Sequence, residues 1–169
     1  MAAAVQPKGS VSSGSIKPVT RKAVRCQREV AWLVAQAAGK LVATTDDVNA
    51  PTPSFVLAAA LSFVRAQEQT AQDTGRAIDY EAIMAPNLVS FCQAAGLPAA
   101  PNALSDTGYM FTLSGADLIR DVYAYCGDLG ERMGAVTEIK PGYAIKLALR
   151  LFLLGETSAA TASGNKTSA

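Results

Sequence analysis

The alternation of apolar and polar positions is clearest from Ser114 to Tyr143, SGADLIRDVYAYCGDLGERMGAVTEIKPGY. Leu118, Ile119, Val122, Tyr123, Tyr125, Cys126 and Leu129 recur at three- and four-residue steps and make one broad helical face that needs a core. Arg120, Asp121, Asp128, Glu131 and Arg132 fall on the opposite side. Ser114 is placed to cap this helix, with Asp117 three residues on as a short-armed capping-box partner.

The same pattern predicts further helices on either side. One runs from near Thr20 to about Val42, with Val24, Ala31, Val34, Ala35, Ala38 and Leu41 on one face. A second runs from Phe55 to about Thr74, capped by Ser54 and followed by Gly75. A third opens at Asp79 and closes at Gly96, and Pro86 should kink it or split it in two. A last, strongly apolar helix follows Pro141 and carries Tyr143, Ile145, Leu147, Ala148, Leu151, Phe152 and Leu154. Tyr109, Met110 and Phe111 could add a short extended stretch, too little to predict a sheet. The expected fold class is therefore all-α, a single compact bundle of about five helices. Its core would span residues 20–155, with a flexible basic arm at 1–19 and a flexible tail at 156–169, both rich in small and polar residues.

Composition narrows the chemistry. The chain has 169 residues and half of them are apolar, enough for one real core. Its formal net charge is +1, so any electrostatic function has to be local. Histidine is absent altogether, which removes the usual general base and the commonest metal ligand. Cys26, Cys92 and Cys126 are widely spaced within apolar patterns and read as buried free thiols. GDLGERMG follows a helical pattern rather than a strand, so it lacks the context of a phosphate-binding loop. The expectation is a protein without catalysis, cofactor or metal, and without a membrane-spanning segment.

Positive charge has a pattern of its own. Between Lys8 and Arg28 there are six cations and no acid. Read as helix, Arg21, Arg25 and Arg28 form a ridge; a solvated leader explains the segment equally well. Arg65 sits among small residues, either paired with Glu68 or Glu81 or facing a ligand. Lys146 and Arg150, four apart, either snorkel to the surface or line a groove.

A basic arm, a compact helical core, prolines in the loops and a small-residue polar tail together resemble the coat proteins of rod-shaped or flexuous filamentous RNA viruses. The resemblance is one of outline: neither the Ala-Phe-Asp-x-Phe signature of the flexuous filaments nor the paired arginines of the rigid rods is present. It implies a structural protein that self-assembles into a helical particle and packages single-stranded RNA without reading bases, found in the virion and before assembly in the host cytoplasm. Phosphate contacts would come from Arg21, Arg25, Arg28, Arg65, Arg120, Lys146 and Arg150. Tyr123 or Tyr143 could stack on bases or pack in the core. The other reading is a small helical adaptor that binds a protein partner through alanine-rich faces, without nucleic acid.

Overall fold

A computed structural model describes residues 19–44, 51–100 and 108–164, and side chains as far as residue 155. Residues 1–18 of the predicted arm, residues 165–169 of the predicted tail, and the loop residues 45–50 and 101–107 lie outside the described residues, whereas the backbone of residues 156–164 of that tail is helical. The order of elements is β1 (Arg21–Cys26), α1 (Glu29–Thr44), α2 (Pro53–Asp73), α3 (Tyr80–Met84), α4 (Leu88–Ala95), β2 (Tyr109–Ser114), α5 (Ala116–Met133) and α6 (Pro141–Gly164). The protein is thus mainly helical, but it is not all-α.

The departure is a two-stranded antiparallel sheet. β1 pairs with β2 in a register that sets Val24 opposite Phe111 and Lys22 opposite Leu113. The first helix expected from Thr20 accordingly begins only at Glu29, and Arg21 and Arg25 alternate along a strand instead of forming a helical ridge. The physical reason lies in the partner strand. Val24 and Cys26 from β1, with Phe111 and Leu113 from β2, send one side of the ribbon into the core, leaving Arg21, Ala23, Arg25, Met110 and Thr112 outside. A period of two wins because the pairing lies nearly ninety residues away, where no local window sees it.

The sheet also displaces the predicted cap of α5. Ser114 remains extended as the last residue of β2, and its N–H donates to Ser54 Oγ at 2.9 Å. Gly115, with φ 106°, takes the cap position without any side-chain bond, and its N–H donates to Thr20 O at 2.8 Å. Pro86 does split the third predicted helix. Asp79 Oδ1 accepts from Ala82 N at 3.0 Å to start α3, and Asn87 Oδ1 accepts from Ser90 N at 2.8 Å to start α4. Thr52, rather than Ser54, caps α2, through Phe55 N–H at 3.2 Å.

The other elements gather round α6. Ala144, Ile145, Leu147, Ala148, Leu149, Leu151, Phe152 and Leu153 are all buried, which makes this helix apolar around its circumference, as a central helix must be. It packs against α1, α2, α3, α4, α5 and β1. At Gly155 the backbone leaves the helical region, with φ 74° and ψ 177°, before helical backbone resumes. Lys40 of α1 donates to Phe152 O at 2.7 Å there, its ammonium 4.8 Å from the Phe152 ring centre. Burial lowers the Lys40 pKa below the usual lysine value. All three cysteines are buried and free, and burial pushes the Cys26 thiol up to about 11. Among the described residues no helix is long and apolar enough to cross a membrane.

β1 meets the first turn of α6 closely enough to dictate a residue. A Cβ on Gly142 would lie 2.5 Å from Arg25 O, a backbone atom that cannot swing aside. Gly142→Ala is expected to cost about 1–3 kcal/mol of folding stability, the usual range for overpacking, read as a lower urea midpoint at unchanged slope. A variant as stable as the parent would mean that strand and helix can separate freely.

Candidate nucleic-acid interface

The contact between β1 and α6 builds one wall of a surface groove. Its first section, about 520 Å³, lies over the start of α6 and is lined by Arg25, Gly108, Lys140, Gly142, Tyr143 and Lys146, among others. Its second, about 440 Å³, extends toward the α3–α4 turn past Arg28, Glu29, Pro86, Asn87 and Arg150. Gln27, Met84 and Lys146 line both sections, so the groove is continuous. Taken together, its walls carry Arg25, Arg28, Lys140, Lys146 and Arg150 against the single acid Glu29. Five cations less one acid leaves a local charge of +4 in a chain whose formal net charge is +1.

Each cation has a distinct role. Arg25 leaves the outward face of β1 exposed, and the absence of a side chain at Gly108 makes room for it, since a Cβ there would lie 3.2 Å from Arg25 Nε. Lys140 is exposed at the mouth of α6, and its carbonyl accepts from Ala144 N at 3.2 Å as the helix begins. Arg28 is exposed at the entry to α1, its carbonyl accepting from Ala31 N at 3.1 Å. Arg25, Arg28 and Lys140 have no acidic partner among the described residues. The positive end of the α6 dipole adds to the same field.

Lys146 and Arg150, one turn apart on α6, share Glu29: Lys146 Nζ pairs with Oε1 and Arg150 Nη2 with Oε2 at 2.9 Å. Lys146 also donates to Gln27 Oε1 at 2.9 Å. Arg150 is fully buried. Its Nη1 donates to Ile83 O at 2.9 Å and Pro86 O at 2.8 Å, and its guanidinium lies 4.7 Å from the Phe91 ring centre. It thereby closes the carbonyls that the proline break leaves open at the end of α3. Arg150 builds the groove wall: its Nη1 and Nη2 are spent on protein acceptors, while its buried Nε has no hydrogen-bond partner.

The remaining expected contacts lie elsewhere. Arg65 pairs with Asp128, not Glu68 or Glu81, and stacks 4.8 Å from the Tyr125 ring centre; its cleft also carries Asp117 and Asp121. Arg120 pairs with Asp117 at 2.8 Å on the exposed side of α5. Arg21 sits on the outer face of β1 toward Ser114, at the opposite end of the strand from the groove. Lys22 stands 4.4 Å from the centre of the Tyr123 ring, so that ring already faces a cation of the same chain. Tyr143 is half-buried between Lys140 and Lys146; burial and then the Glu81 carboxylate raise its pKa, so the phenol stays neutral. Lys140 was not singled out by the sequence. It becomes visible only as the last cation before Pro141, where a helix start was already expected.

The groove can hold a chain of phosphates between exposed cations, with an aromatic ring beside them, and it offers no nucleophile activated by a base. Among the described residues no group of His, Cys, Asp and Glu could hold a metal ion. Comparison with known proteins returns no match: no family model, no curated protein and no solved structure matches this chain.

Proposed function

We propose that this chain is a coat-protein subunit that self-assembles into a helical or filamentous particle and packages single-stranded RNA in the groove at the start of α6. The observation that carries the reading is the convergence of exposed, unpaired Arg25, Arg28 and Lys140 with Lys146 on one continuous groove of a near-neutral chain. Phosphate contacts of this kind are independent of sequence, and repetition along a polymer multiplies a few of them per subunit into tight packaging. Apolar side chains left outside the core supply material for contacts between subunits. Phe55 is 61% exposed at the start of α2, Met110 55% on the outer face of β2, and Val136 is fully exposed after α5.

The test is negative-stain electron microscopy of the purified protein beside its absorbance at the nucleic-acid and protein maxima. Filaments that carry nuclease-protected RNA are expected. A small, nucleic-acid-free species that stays so after RNA is added at low salt would sink the reading and leave the adaptor in its place.

A further inference from the structure

A second cleft, of about 600 Å³, opens between α2 and the start of α5, at the opposite end of β1 from the groove. Buried Leu61 and Leu118 and the small Ala58 give it an apolar lining, and Arg65, Asp117 and Asp121 stand around it. Those charges are not balanced. Arg65 is spent on Asp128. Asp117 has Arg120 at 2.8 Å and the positive end of the α5 dipole. Asp121, one turn further along, has no cationic partner among the described residues. The cleft therefore fits a cation that adjoins an apolar side chain.

The described chain begins beside this cleft. Gly115 lines it and donates its N–H to Thr20 O at 2.8 Å, and Val19, the first residue described, is 62% exposed. Eighteen residues precede Val19. Their nearest cation is Lys17, with Ile16 before it and Pro18 after it; the next, Lys8, is nine residues further away. Lys17 stands three residues before Thr20, a reach of roughly 10 Å for extended chain, and Pro18 favours extended backbone at the residue it follows.

We propose that residues 15–18 dock in this cleft of their own chain, with Ile16 against Leu61 and Leu118 and Lys17 paired with Asp121. Successive side chains of an extended segment point to opposite faces, so Ile16 turns inward while the long stem of Lys17 reaches back over the rim. The charge left open at Asp121 selects the lysine, and the apolar lining selects the isoleucine beside it. The tether selects the same chain over a second copy. Joined to the body at Val19, the segment meets the cleft at an effective concentration in the millimolar range, with no association step. Docking here does not depend on RNA in the groove.

Disulfide trapping in the full chain tests it, since the native thiols are buried. Ser15→Cys combined with Ser62→Cys places one thiol on the segment and one on the cleft without touching the proposed contacts. Under mild oxidation this variant should close within single chains, seen as a faster-migrating monomer on a non-reducing gel. Adding Asp121→Lys should slow closure about fivefold, the upper end for a solvent-exposed ion pair, while thermal unfolding stays unchanged. Lys17→Glu on top of Asp121→Lys should restore the rate. A mixture of chains carrying either cysteine alone should give little covalent dimer. Dimers forming in that mixture as fast as the double variant closes would overturn the proposal and give the cleft to a second copy. Failure to close, or closure at the same rate with Asp121→Lys, would also overturn it, because the segment would then only pass near the cleft.

Discussion

Arg150→Ala is expected to destabilise the protein by about 3–5 kcal/mol, the cost of breaking a buried ion pair from one side. The magnitude follows from what the truncation leaves behind. The carbonyls of Ile83 and Pro86 lose their donor in a buried site, Glu29 loses one of its two cations, and the Phe91 ring loses the guanidinium stacked on it. With ordinary domains stable by only about 5–15 kcal/mol, such a loss removes a large part of the total. Urea denaturation followed by circular dichroism measures it. Arg150→Lys keeps the charge but not the planar fork that reaches two carbonyls and a carboxylate at once, so it should recover well under half of the loss. A double-mutant cycle with Glu29→Gln isolates the pair itself and should return a coupling of about 0.5–3 kcal/mol. If Arg150→Ala costs less than 1 kcal/mol, the arginine is not what holds the α3–α4 turn against α6.

What the sequence revealed and what it concealed divide along the range of the interactions. The apolar face of α5, the break at Pro86, the helix after Pro141 and the buried thiols are all decided within a few residues, and each is present in the fold. β1 was concealed because RKAVRC fits a helical stripe as well as a strand until Phe111 and Leu113 arrive from the other side of the core. The misplaced cap at Ser114 is the same error seen from β2, since a residue still paired in a strand cannot adopt the cap of the helix that follows. The groove was partly legible. Arg25, Arg28, Lys146 and Arg150 were all singled out, but Glu29 binding Lys146 and Arg150 across more than a hundred residues was not, nor was the burial that turns Arg150 inward. Charge spacing alone also could not tell that Arg65 and Arg120 are already satisfied by Asp128 and Asp117.

That distinction yields the second large effect. Arg25→Ala combined with Lys140→Ala should weaken binding to short single-stranded RNA and flatten its dependence on salt. Each phosphate contact to a single strand contributes roughly 0.7 to the slope of log affinity against log salt, so removing two should lower the slope by about 1.4. The loss should be the same for RNAs of unrelated sequence, because phosphates carry no sequence information. Arg65→Ala and Arg120→Ala serve as the comparison: both cations already sit beside carboxylates, so each should leave affinity and slope nearly unchanged. Fluorescence anisotropy at several salt concentrations reads both quantities on the same samples. Equal losses in the two sets of variants would mean that diffuse positive charge, not the groove, attracts RNA. An unchanged slope in the Arg25 and Lys140 variant would mean that phosphates do not bind at the start of α6, and the packaging role would lose its structural basis.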